Sequence, residues 1–184
     1  MKRHSWLFVF MLFSIILMMT GCLQTEATNE TEQSVPNEIA IMTPTQEATI
    51  AAEVFKTKEY TIGDVPESPL PEDVVLERYA AMEPYYAERY ADKPVNYSYV
   101  LLALKAAQIQ QASLQPENMK FTVYQELENY VDLDYTMDLV LDQKNGNLER
   151  VPLEGRLSLI KKDGKWLIQA DDFDSKAFLK LIPQ

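Results

Sequence analysis

The sequence predicts an α+β domain in which an N-terminal helix, broken at a proline, packs on a curved antiparallel β-meander. Three observations point to it. Between Val131 and Leu141 the apolar residues Val131, Leu133, Tyr135, Met137, Leu139 and Leu141 alternate with Asp132, Asp134, Thr136, Asp138 and Val140. A period of two is that of a strand with one dry face and one wet face. Two turn dipeptides follow, Asn145-Gly146 and Asp163-Gly164, each flanked by alternating segments. Dipeptides of this type favour the positive φ angles of tight hairpins. Upstream, Val75, Tyr79, Met82, Tyr86 and Tyr90 recur at spacings of three and four, a stripe along one side of a helix.

The meander is read strand by strand. The return strand alternates through Val151, Leu153, Gly155, Leu157 and Leu159, and the last strand carries Trp166, Ile168 and Ala170. Its apolar face must be covered, and the helix starting near Pro71 is the expected cover. Pro71 suits an early helical position, and Glu72 and Asp73 suit the positive end of the helix dipole. Pro84 removes a backbone donor, so the helix is expected to kink or restart there. Tyr97 to Leu114 is open to two readings, a buried helix rich in Ala and Leu or a long inner strand. The alternation at Gln108-Ile109-Gln110 favours the strand, with Pro116-Glu117-Asn118 as a turn into a further strand over Lys120–Leu127.

Composition narrows the function classes. With 28 Asp and Glu against 17 Lys and Arg, the formal charge is −11. Phosphate binding requires clustered Lys and Arg, so nucleic acid is a poor fit. One cysteine and one histidine leave no internal disulfide and no zinc site of the usual Cys/His kind. No cofactor-binding motif is present.

The N-terminus accounts for that cysteine. Lys2 and Arg3 precede an apolar run from Trp6 to Met19, 14 residues long. A bilayer span needs about 20, so the run reads as the h-region of a secretory signal. It ends in Met19-Thr20-Gly21-Cys22, which resembles the lipobox of bacterial lipoproteins, with Met19 where that family usually has Leu. The resemblance implies cleavage after residue 21 and diacylation of Cys22, which becomes the membrane-anchored first residue on the extracytoplasmic side. Two acyl chains anchor stably where one is marginal. Losing Lys2 and Arg3 with the signal takes the formal charge from −11 to −13, and His4 leaves with them.

Residues 22–67 are rich in Thr, Glu, Gln and Asn and carry acidic residues almost alone. That composition predicts a disordered acidic tether. A minor alternative folds Ala48 to Ile62 onto the domain. The domain itself is expected over 68–184.

The closing strands, Gly155-Arg156-Leu157-Ser158-Leu159-Ile160-Lys161-Lys162-Asp163-Gly164-Lys165-Trp166-Leu167-Ile168, resemble those of the NTF2-like, or cystatin-like, superfamily. The resemblance implies a curved sheet wrapping a helix into a cone, with Trp166 as a core residue. That superfamily includes isomerases, dehydratases and cyclases whose cone mouths present an Asp, often with His or Tyr. This chain lacks the His in its mature form, and Asp132, Asp134 and Asp138 fall on the face opposite the core, where solvated carboxylates are expected. Tyr79, Tyr86 and Tyr90 point toward the expected cone, where packing as plain core explains them better, and they are the candidate ligand-binding residues. Asp142–Asn147 starts like a calcium loop, but Lys144 stands where an oxygen ligand belongs, so a hairpin is expected. Asp171-Asp172-Phe173-Asp174 is an acidic cluster whose expected role is to cap a last helix over Lys176–Leu181. The expected function is a non-catalytic binding or accessory module for an envelope protein or cell-wall component. The alternative is a small-molecule binder or isomerase-type enzyme using the cone.

Overall fold

The structure is a computed structural model that describes residues 42–66, 68–88, 94–173 and 175–182, with the backbone alone for 94–99. The signal segment, Cys22, the tether up to residue 41, Tyr90 and Asp174 lie outside the described residues.

Among the described residues the elements follow one another as α1 Pro44–Tyr60, α2 Glu72–Met82, α3 Pro94–Gln110, β1 Ala112–Leu127, β2 Tyr130–Gln143, β3 Leu148–Lys162, β4 Lys165–Phe173 and α4 Ser175–Leu179. The strands form one curved antiparallel sheet in the order β1-β2-β3-β4, the expected meander. On β2 the odd-numbered residues Val131 to Leu141 are all buried, and Leu153, Leu157 and Leu159 of β3 lie beside them. Each fully buried leucine contributes about 2 kcal/mol of transfer free energy.

The cover on this face is α1, so over the described residues from 42 onward the disordered tether and the domain start at 68 are corrected, and the alternative that folds Ala48 to Ile62 onto the domain is the one observed. Ala48, Ala52, Phe55, Glu59 and Tyr60 fall on one helical face and are buried, and α1 touches all four strands. Average composition concealed this, because the stripe consists of small and aromatic residues set among polar ones. A start signal was nonetheless present. Thr43 Oγ1 accepts from the Gln46 backbone N–H at 3.2 Å while the Gln46 side chain accepts from the Thr43 N–H at 2.8 Å, a capping box with Pro44 in the first turn.

Helix α2 packs on α3 rather than serving as the main cover. It ends at Met82, which is fully buried, and the chain continues as a 3₁₀ turn over Glu83–Tyr85 around Pro84. Residues 94–110 are helical, against the strand favoured from sequence. A run of this length suits a helix better than a typical strand, and Ala and Leu are strong helix formers. Pro116-Glu117-Asn118 is no turn; β1 runs through it with a register shift between Glu117 and Lys120 and Asn118 at φ 54°. A bulge absorbs the extra residues that the sequence made look like a loop.

Both hairpins fall where expected, with different geometry. Asp163 and Gly164 both have positive φ, 50° and 77°, as a two-residue primed turn requires. In the first hairpin only Gly146 does, at 82°. Its N–H bonds to Gln143 O at 2.8 Å and Gln143 N–H to Asn147 O at 3.0 Å, a three-residue loop closed by a glycine bulge.

Candidate functional site

The interior between α1 and the sheet is organised around Lys56. Its position on the buried face of α1 sends the side chain into the core, where it has no exposure. Nζ donates to Glu59 Oε2 at 2.8 Å, one helical turn on, and to Asp171 Oδ2 at 2.6 Å on β4. The ammonium also sits 4.5 Å from the ring centroid of Tyr135, 5.1 Å from Tyr60 and 5.4 Å from Phe55. Two carboxylates and three aromatic faces replace the water that Lys56 lost, as a buried cation requires.

The charges set one another's protonation. Burial alone would push the Lys56 ammonium down, but Asp171 and Glu59 outweigh it and hold the pKa well above the ordinary lysine value. Glu59 moves the other way. Burial, opposed by Lys56 and aided by the charge of Asp171, pushes its carboxyl up to about 7. One ammonium shared by two carboxylates leaves Glu59 easy to protonate. Burial, with the neighbouring Asp171 and Glu59 charges reinforcing it against Lys56, also raises the Tyr135 phenol. From α2, Arg78 approaches the same place and donates through Nη2 to the Glu59 backbone carbonyl. Its buried Nε has no partner among the described residues.

Gly155 completes the arrangement. It pairs with Tyr135 on one side and Phe173 on the other. A Cβ there would lie 2.7 Å from Tyr135 Oη, 2.5 Å from Asp172 O and 2.8 Å from Phe173 Cα. The missing side chain lets the Tyr135 hydroxyl lie against β3 and reach Asp171 Oδ1 at 3.4 Å.

Of the sequence-predicted ligand residues, Tyr79 and Tyr86 sit beside this cluster, and Tyr90 lies outside the described residues. Tyr79 is half-buried against the core, and Tyr86 packs edge-on to Phe55, with ring centroids 5.7 Å apart. The Tyr86 backbone bridges to Ile168, and the next residue, Ala87, donates to Ile168 O at 2.9 Å. The acidic cluster divides: Asp171 turns inward to Lys56, and Asp172 is exposed. Trp166 is half-buried rather than core, and its indole N–H donates to Glu47 Oε2 at 3.2 Å. Sequence reasoning missed Lys56, Glu59 and Tyr135 as a unit. A lysine in step with Ala48, Ala52 and Phe55 was the available signal.

The outer sheet face carries a ladder of polar pairs. Arg156 holds Asp134 through two hydrogen bonds, at 2.6 and 3.1 Å, and its guanidinium lies 3.3 Å from the Tyr124 ring centroid. Asp132 is buried rather than solvated, accepting from the Tyr130 hydroxyl at 2.6 Å. Arg150 meets Glu117 at 2.6 Å, and Asn118 donates to Asp138 at 2.8 Å.

Among the described residues, the surface opens into hollows. One of about 690 Å³ lies between the β1 bulge, β2, β3 and α4, with Lys120, Asp138, Glu154 and Lys180 at its edge and Met137 and Leu153 in its floor. Another, about 400 Å³, is apolar and runs between α1 and the β3–β4 hairpin. Among the described residues no group of three or more His, Cys, Asp or Glu is placed to hold a metal ion, and no helix is long and apolar enough to cross a membrane.

No family model and no curated protein matches the chain. Solved structures do. An IcmL-like type IV secretion system protein from Legionella pneumophila aligns over 72% of this chain and 92% of its own, with 11% identity and a TM-score of 0.52. Aln2 from a Streptomyces species aligns over 72% and 92%, with 11% identity and a TM-score of 0.46. A periplasmic fragment of TraM aligns over 72% and 98%, with 10% identity and a TM-score of 0.46. The first of these shares the arrangement of helices followed by an open, curved four-stranded sheet, and the fold is NTF2-like.

Proposed function

We propose that this chain is a lipoprotein, anchored through Cys22 on the extracytoplasmic side of the membrane, whose NTF2-like domain is a non-catalytic binding or accessory module for an envelope protein or cell-wall component. The observation that carries the non-catalytic reading is the Lys56 cluster. The carboxylates nearest the interior, Glu59 and Asp171, are committed to a lysine with no exposure. Aromatic rings surround that lysine, so the groups that acid or base chemistry would use are spent on holding α1 to β4. The anchor rests on the apolar run ending in Met19-Thr20-Gly21-Cys22. A protein partner accords with the IcmL-like protein that shares the fold, itself a type IV secretion system protein.

The test combines labelling and crosslinking in the producing bacterium. An alkynyl palmitate analogue should label the full chain, and Cys22→Ala should lose both the label and the membrane fraction. A photoreactive amino acid at Thr122, exposed on the outer face of β1, should yield a discrete adduct with an envelope component. A second reading, a small-molecule binder, rests on the hollow edged by Lys120 and Lys180. Saturable binding of one metabolite there, with no adduct from the outer face, would replace the first reading with the second.

A further inference from the structure

The apolar groove between α1 and the β3–β4 hairpin is not used by the Lys56 cluster. Helix α1 and the residue two before it leave Met42, Ile50 and Val54 at 48, 48 and 47% exposure on the groove. Trp166, Leu167 and Tyr85 form the opposite wall. Aliphatic side chains held this open to water are costly, at about 25 cal/mol for each Å² left uncovered.

The rim indicates what covers them. Its lining carries one acid and one base, Glu47, which pairs with Lys161 at 2.5 Å, and the exposed Lys165, while Lys162 pairs with Glu88 at 2.8 Å nearby. An apolar floor inside a self-neutralised rim offers little to an acidic or basic partner. It suits the boundary zone of a bilayer, where aliphatic residues enter, a tryptophan keeps its N–H in a polar layer, and a lysine extends its head to water. Trp166 has that polar handle in Glu47, and the exposed Lys165 adjoins it.

Connectivity points to the same surface. Met42 is both a groove residue and the described position nearest in sequence to Cys22, twenty residues earlier. A segment of that length spans at most about 70 Å, so an anchor at Cys22 keeps the domain, which the chain enters at the groove end of α1, within reach of the membrane. We infer that this groove seats on the lipid surface, inserting Met42, Ile50, Val54 and Trp166 at headgroup level. The inference rests on the Cys22 anchor. The anchor supplies proximity, and the groove adds orientation, holding the domain against the bilayer in one pose.

Trp166 is itself the probe. In Trp6→Phe it is the sole tryptophan whether or not the signal is cut. The full chain carrying that substitution is produced in bacteria, purified with its acyl chains and reconstituted in vesicles of phosphatidylethanolamine and phosphatidylglycerol with brominated acyl chains. The protein should sediment with the vesicles, and Trp166 emission should fall about twofold relative to unbrominated vesicles and shift to the blue. Ile50→Glu with Val54→Glu, both exposed, should sediment equally, keep the same circular dichroism and lose the quenching. Sedimented protein with unquenched Trp166 overturns the groove inference and leaves the anchor standing. If its emission changes instead with protein concentration in detergent, the groove belongs to a second copy. Protein that neither sediments nor is quenched overturns both readings.

Discussion

Lys56 Nζ lies 2.6 Å from Asp171 Oδ2, joining a helix to a strand 115 residues further along the chain. Neither side chain is solvated: Lys56 has no exposure and the Asp171 side chain is 3% exposed. This contact, with Glu59 as its second carboxylate, fixes how α1 lies on the sheet. Removing one member of such a cluster costs far more than replacing all of it.

Lys56→Met should therefore destabilise the protein by about 3–5 kcal/mol in urea unfolding, because two buried carboxylates lose their cation. Combining it with Glu59→Gln and Asp171→Asn should recover at least about 2 kcal/mol of that loss, since no buried charge is then left alone. Additive losses across the three sites would count against a shared network.

Stability should depend on pH through Glu59. In the folded state its carboxyl titrates near 7, against an ordinary glutamate value of 4.5. Between those values the folded protein holds more protons than the unfolded chain, so stability falls as pH rises from about 4.5 to 7. The contribution is fully present below that window and lost above it, and it amounts to at most about 3 kcal/mol. Among the described residues no histidine titrates there, and Glu47, Glu88 and Asp134, held below their ordinary values by lysine or arginine partners, act at lower pH. Urea midpoints at pH 5.5 and 7.5 should differ in the parent and nearly coincide in Glu59→Gln. An unchanged pH slope in that variant would remove Glu59 from this role.

Gly155→Ala should cost more than about 2 kcal/mol, because the new methyl meets backbone on β4 as well as the Tyr135 hydroxyl. Tyr135→Phe removes only one of these contacts, so the double substitution should remain destabilised. Full rescue in a thermal melt would show that the hydroxyl alone sets the requirement for glycine.

Much of this was legible in the sequence because β2 and β3 bury one face each and follow a strict period of two. The positions from Val131 to Leu141 therefore carried their burial openly. Helix α3 was not legible in that way, since a run apolar on every side has no period to read. Helix α1 was hidden by a different cause. Its buried face holds Lys56 and Glu59, two charges that composition assigns to solvent and that are paired in the core, Lys56 with the distant Asp171 and Glu59 with Lys56. Trp166 was misplaced because a hairpin tryptophan reads as core, whereas Glu47 holds its indole at the edge.

One substitution and one deletion follow from those corrections. Trp166→Ala should cost about 1–2 kcal/mol rather than the roughly 3–5 kcal/mol of a core tryptophan, because the side chain is only partly buried in the folded state. Deleting residues 23–67 should abolish cooperative unfolding, since α1 covers all four strands and a domain holds only about 5–15 kcal/mol in reserve. A sharp melt from the shortened chain would contradict the placement of α1.

The most direct measurement is the reactivity of Lys56 toward an amine acylating reagent at pH 8, read by peptide mass spectrometry against Lys165 on the exposed hairpin. A filled interior closed around the ion pairs should leave Lys56 unmodified while Lys165 reacts, with Lys56 labelled only as urea unfolds the protein. Comparable labelling of both lysines in the folded protein would show an interior open to small molecules, contradicting the non-catalytic module proposed for this domain.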